Sequence, residues 1–146
     1  MIKYKVYLAS TFNPDTRDNM YSAINILRNT NVLDVYAPVE HEIINAWDYP
    51  NSEWGLMVFE NDITAIQQSD IVVVLSYGRI EDTSGVTWEA GFAFALGKKV
   101  IIVEMTDNIM SLMVANGRYA TVRGLDGLAN YDWNLMLQMR TNTEQK

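Results

Sequence analysis

The sequence predicts a doubly wound α/β fold, a five-stranded parallel sheet with helices on both faces. Three observations lead there. Residues 71–75 (Ile-Val-Val-Val-Leu) and 100–103 (Val-Ile-Ile-Val) are unbroken aliphatic runs, the pattern of strands buried on both faces. Segments with helical apolar spacing alternate with strand-like ones along the chain. Punctuating residues fall between them: Pro14, Pro38, Gly78 and Gly97.

Taken in order, residues 5–9 (Lys-Val-Tyr-Leu-Ala) read as the first strand, stopped by Ser10-Thr11-Phe12-Asn13-Pro14. Pro14 followed by Asp15 suits a helix start, and Met20, Ala23, Ile24 and Leu27 then recur at helical spacing. Residues 32–37 form a short second strand closed by Pro38. Residues 39–52 have no clean period and read as a long loop. A second helix covers about 53–68, with Leu56, Phe59, Ile63 and Ile66 as its apolar stripe. The third strand is 71–75, followed by a polar loop at 78–84. The third helix runs from about 85 to 96, with Gly97 as its stop. The fourth strand is 100–103; a short helix near 108–115 and a weak strand near 119–122 follow. Residues 142–146 read as a frayed tail. No repeat or linker divides the 146 residues, so one domain is expected over 1–146.

Composition removes whole classes of function. With 18 acidic against 11 basic residues and a formal charge of −7, the chain lacks the clustered cations that a nucleic-acid polymer requires. Lys98-Lys99 is its one adjacent basic pair. No cysteine means no disulfide, thiolate nucleophile or zinc ribbon. A single histidine, His41, argues against a histidine metal site or an ordinary Ser-His-Asp triad. No apolar stretch approaches ~20 residues and no signal-like core opens the chain, so a soluble, cytoplasmic protein is expected. Chemistry falls to carboxylates, hydroxyls and amides. Neither a G-x-x-x-x-G-K-[ST] loop nor a G-x-G-x-x-G after the first strand is present. Asp82 and Asp126 do not compose a metal cluster.

In such sheets ligands bind beyond the carboxyl ends of the strands, which directs attention to the loops after Ala9, Pro38, Leu75 and Val103. Glu89 stands out, followed at helical spacing by Phe92, Ala93 and Leu96. A carboxylate on an apolar stripe is costly to bury unless hydrogen-bonded or functional. A place in the first helical turn would stabilise its ionised form and suit it to attack a sugar carbon; a plain capping glutamate is the alternative. Asp62 lies at the edge of the second helix's stripe beside Asn61, as a second acid or a solvated one. Tyr7, in the first strand, is a partner for a catalytic carboxylate or a core tyrosine. Phe12 is a stacking surface or a core plug. Glu40-His41-Glu42 reads polar base edges or is a solvated charge cluster.

Together these residues resemble the nucleoside 2-deoxyribosyltransferase family over roughly residues 3–133. The likeness rests on Val-Tyr-Leu-Ala-Ser with Phe12, Pro38 opening the loop, and Glu53-Trp54 followed by Asn61-Asp62. It continues through Gly85-x-x-x-Glu89-x-Gly91, Ser111-Leu112-Met113 and Asn130-Tyr131-Asp132-Trp133. The resemblance implies a flavodoxin-like domain in nucleotide salvage, acting on small-molecule deoxynucleosides and free bases, with neither metal nor organic cofactor. It implies a homo-oligomer, dimer or larger, whose pockets are shared between subunits. Glu89 would attack C1′ of a 2′-deoxynucleoside, Tyr7 would orient it, and Asp62 would help bind the nucleoside. A second base would then take up the deoxyribosyl group. Phe12 and the partner's Met113 would wall the pocket.

Three positions depart from the family. Six residues before the nucleophile, where the transferases carry a base-handling aspartate, stands Thr83, with Asp82 one step earlier. Ser111 replaces an asparagine that binds the sugar 5′-hydroxyl, and Glu42 replaces a glutamine presented to the base. Thr83 and Ser111 resemble instead a sister group, the 2′-deoxynucleoside 5′-monophosphate N-glycosidases, which hydrolyse the same bond. Glycosidase activity, and a non-catalytic flavodoxin-like binding module, are therefore the alternatives to deoxyribosyl transfer.

Overall fold

A computed structural model describes residues 3–43 and 45–135. Five strands, β1 (Tyr4–Ser10), β2 (Leu33–Tyr36), β3 (Ile71–Ser76), β4 (Lys99–Glu104) and β5 (Ala120–Arg123), alternate with α1 (Arg17–Arg28), α2 (Asn51–Gln68), α3 (Ser84–Ala95), α4 (Leu112–Asn116) and α5 (Gly124–Ala129). The sheet is wholly parallel in the order β2-β1-β3-β4-β5. The chain thus adopts the expected α/β architecture. Its topological switch lies between β1 and β3, where Val6 pairs with Ile71 and Ser10 with Leu75.

Strand parity divides the core. Val6, Leu8, Ile71, Val73, Leu75, Ile101 and Val103 face α1 and α5, packing on Met20, Ala23, Ile24, Leu27 and Leu128. Tyr7, Ala9, Val72, Val74, Val100 and Ile102 face the other way, onto Ala65, Ile66, Val86, Ala90, Ala93 and Val114. The two aliphatic runs supply both faces, which is why they carry no polar alternation. Helix α3 ends in paired bonds from Lys98 N–H to the Ala93 carbonyl and Gly97 N–H to the Phe94 carbonyl, both 3.0 Å. Gly97 adopts φ 75° there, a left-handed stop that glycine takes without strain.

Several expectations shift. Helix α1 starts at Arg17, not at Pro14, because Asn13 first closes a turn, its side chain accepting from the N–H groups of Asp15 and Thr16. The segment expected as a loop contains 3₁₀ turns at Pro38–His41 and Ala46–Asp48, and α2 begins at Asn51. The short helix expected near 108–115 is α4, at Leu112–Asn116. Helix α5 was not anticipated. The largest shift concerns α2. Of its apolar stripe only Ile66 is fully buried, Ile63 is half-buried, and Leu56 and Phe59 are exposed. The tail at 142–146 lies outside the described residues. Among the described residues no helix is long and apolar enough to cross a membrane.

Candidate active site

Tyr7 is fully buried in the middle of β1, on the face covered by α2 and α3. Glu89 comes to meet it from α3, and the Tyr7 hydroxyl donates to Glu89 Oε2. Tyr7 is fully buried and Glu89 half-buried, so the tyrosine holds one oxygen of a carboxylate whose side chain lines the adjoining space.

Glu89 is not in the first helical turn. Helix α3 begins at Ser84 and is capped by Thr83, whose side-chain oxygen accepts from Val86 N–H. That overturns both the helix-start stabilisation expected for Glu89 and its alternative role as a cap. Burial instead pushes its carboxyl up to about 7; the Tyr7 hydrogen bond opposes the rise and the Asp62 charge adds to it. Burial likewise raises the Asp62 carboxyl. The Tyr7 hydroxyl is held far above its ordinary range, by burial first and the Glu89 charge second. It therefore remains a proton donor throughout.

A cavity of about 580 Å³ opens beside this pair at the carboxyl end of β1. Strand β1 contributes Tyr7 to Ser10, the next loop Phe12, and the segment after β2 contributes His41, Glu42 and Trp47. Helix α2 adds Trp54, Val58, Asn61 and Asp62, and α3 adds Glu89. Three carboxylates line it, and among the described residues no lysine or arginine does. A second hollow of about 450 Å³ lies between α2 and α3, lined by Phe59, Gly85 and Trp88 among others. Val58, Asp62 and Glu89 line both spaces, so they form the partition between them.

The far rim of the main cavity is held from two sides. Tyr36 stacks on Tyr7 with ring centres 5.8 Å apart, and His41 stacks on Tyr36 at 4.2 Å with planes 2° apart. On the outside, Arg28 donates through both terminal nitrogens to the Glu40 carboxylate, one bond measuring 2.6 Å. That pairing holds the Glu40 carboxyl below its usual range. The 3₁₀ turn carrying His41 into Glu42 is thereby clamped by a ring stack within and an ion pair without.

Other candidates lie elsewhere. The Asp82 carboxylate accepts from Ser76 Oγ and from Tyr77 N–H, each at 2.6 Å. It clasps the turn after β3 and does not line the main cavity. Thr83 also stays out of it, its N–H donating to Thr11 Oγ1. Ser111 precedes α4, and Met113, 85% exposed, lines a third hollow of about 410 Å³ on the far side of α3. Two residues of the site went unread in the sequence, Tyr36 and Trp47. A tryptophan in a stretch with no period is the one signal that pointed to the latter. Among the described residues no three His, Cys, Asp or Glu gather as a metal-binding group.

Comparison with known proteins adds identity to this geometry. The sequence profile described as nucleoside 2-deoxyribosyltransferase matches residues 6–136. A nucleoside deoxyribosyltransferase of Limosilactobacillus fermentum is 28% identical over 77% of this chain and 71% of its own. The structure of a 2-deoxyribosyltransferase from Bacillus psychrosaccharolyticus superposes with a TM-score of 0.79 at 28% identity, covering 90% of this chain and 94% of that one. A Clostridium botulinum CMP N-glycosidase, at 16% identity and a TM-score of 0.55 over 86% and 95%, shares the fold. With a profile spanning nearly every described residue, the chain belongs to the nucleoside 2-deoxyribosyltransferase family.

Proposed function

We propose that this protein exchanges the base of 2′-deoxynucleosides through a covalent deoxyribosyl–Glu89 intermediate. The observation that carries the reading is the buried Tyr7–Glu89 pair on the wall of a cavity of ligand size. In the first half-reaction a Glu89 oxygen bonds to C1′ while the C1′–N bond breaks, its electron pair leaving with the base. In the second, a nitrogen of an incoming base bonds to C1′ and the electrons of the ester bond return to Glu89. Two displacements retain the configuration at C1′. Tyr7 holds Glu89 in register, Asp62 binds the sugar beside it, Phe12 flanks the base and Glu42 faces its polar edge. A desolvated carboxylate with a raised pKa makes attack weaken below pH 7, because the protonated acid is no nucleophile.

The working unit in this reading is a homo-oligomer. The face of α2 and α3 exposes Leu56, Phe59 and Trp88, an apolar surface beside the second hollow. A second copy seated there would bring its Ser111 and Met113 to the site and close the hollow against Gly85. Transfer is preferred to 5′-monophosphate hydrolysis because, among the described residues, no lysine or arginine lines the cavity to hold a phosphate.

Incubation with 2′-deoxyadenosine and a second free base, with product analysis, tests the reading. Appearance of the swapped nucleoside supports it. Free base and deoxyribose 5-phosphate, formed from 2′-deoxyadenosine 5′-monophosphate alone, would replace it with the hydrolase.

A further inference from the structure

A departing base carries off the electrons of the glycosidic bond and needs a proton, or it leaves as a poor anion. The residues around Glu89 do not obviously supply one. Asp82 is spent on Ser76 and Tyr77 and lies away from the cavity. Tyr7 is committed to Glu89. Asp62 stands with Glu89 in the partition, on the nucleophile's own wall. In a displacement at C1′ the base leaves on the side away from Glu89, and the turn at Pro38–His41 lines the same cavity as Glu89. That rim carries His41 and Glu42. An imidazole is a side chain whose ring nitrogens can both give and take a proton in catalysis.

Resting on the deoxyribosyl-transfer reading, we infer that His41, held at the cavity rim by its stack on Tyr36, is the acid that protonates the departing base and the base that deprotonates the incoming one. Three observations converge on it. His41 lines the cavity. Its ring lies flat on Tyr36, which lies on Tyr7, so the rim is indexed to the nucleophile through two ring contacts. Its neighbour Glu40 is bound to Arg28 on the outer side, and the turn is fixed without using the imidazole nitrogens. The proton balance closes. Imidazolium gives its proton to a ring nitrogen of the leaving base as the C1′–N bond breaks. The neutral imidazole then takes the ring N–H proton of the second base as that nitrogen bonds to C1′.

Single-turnover base release, with enzyme in excess and no acceptor, tests this with two leaving groups. Adenine from 2′-deoxyadenosine needs a proton; 7-methylguanine from 7-methyl-2′-deoxyguanosine leaves neutral without one. His41→Phe keeps a flat ring for Tyr36 but carries no proton. It is expected to slow adenine release roughly 100-fold, the usual contribution of a positioned acid, and to leave 7-methylguanine release within about threefold. Equal losses on both substrates would show a purely architectural role and overturn the assignment, as would no loss on adenine. A leaving-group-selective loss in Asp62→Asn, with His41→Phe unaffected, would transfer the role to Asp62. Failure of the parent reading has a separate signature: Glu89→Ala releasing either base at the wild-type rate.

Discussion

The two faces of the sheet are built to different ends. Helices α1 and α5 close theirs with a mainly aliphatic layer that also takes in Tyr77 and Trp133, and α1 turns Met20, Ala23, Ile24 and Leu27 inward with Tyr21 as its one exposed large apolar side chain. The α2 and α3 face is packed with smaller groups, Ala65, Ala90 and Ala93. It buries a tyrosine–carboxylate pair and sends Leu56, Phe59, Trp88 and Phe94 outward. The first face is a foundation. The second gives up packing to a polar site and leaves apolar side chains exposed, which teaches where substitutions should damage folding and where they should damage chemistry.

The contrast is broken most directly at Glu89. Glu89→Ala is expected to lower base exchange by roughly four orders of magnitude or more, as loss of a nucleophile does, with an unchanged circular dichroism spectrum. A matching loss of structure would mean that the second face is also a foundation. On the opposite face, Leu27→Ala should cost about 3 kcal/mol in chemical denaturation, the range for deleting a buried leucine, while kcat of the folded fraction stays near wild type.

Glu89→Gln sharpens the difference through pH. The fold holds the carboxyl near 7 against an ordinary 4.5, so it favours the protonated acid. That contribution is complete below about 4.5 and is lost as pH rises through about 7. The glutamine cannot ionise. The variant should therefore match wild type near pH 4.5 and exceed it above pH 7 by roughly 2 kcal/mol, after discounting for partial exposure. Equal melting profiles at both pH values would refute the buried-charge account. Last, Trp88→Asp places a charge in the aromatic group formed with Phe59 and Phe92. For the proposed homo-oligomer, sedimentation should show dissociation to monomers, with activity falling roughly tenfold; an undisturbed oligomer would place its interface elsewhere, and a monomeric wild type would remove the proposed assembly.

Much of this was legible beforehand, for reasons that differ by residue. β3 and β4 announce themselves because a doubly buried strand has no polar positions. Tyr7 and Glu89 stood out as polar groups in apolar patterns. The stripe on α2 was legible as a period, but period does not say what covers it, and Leu56 and Phe59 proved exposed. Helix α5 has six residues with two glycines, too short and too flexible to leave a pattern. Asp82 stands out by its spacing from Glu89, but in the fold its carboxylate is taken by Ser76 and Tyr77. The ring stack of Tyr7, Tyr36 and His41 joins strand neighbours to a turn, a relation no local pattern encodes.

The strand order also governs how the chain acquires its shape in time. β1 is flanked by β2 and by β3, and its central partner begins only at Ile71. During synthesis the first half can form α1 and one marginal pair, β1 with β2, while the far edge of β1 has no partner. The sheet's middle closes once residues through Glu104 have emerged and β4 joins β3. Pairings this distant along the chain belong to the slower class of folding reactions, in milliseconds to seconds. Tyr7 and Ala9, whose cover comes from α2 and α3 rather than from α1, are thus the strand β1 groups a nascent chain exposes longest.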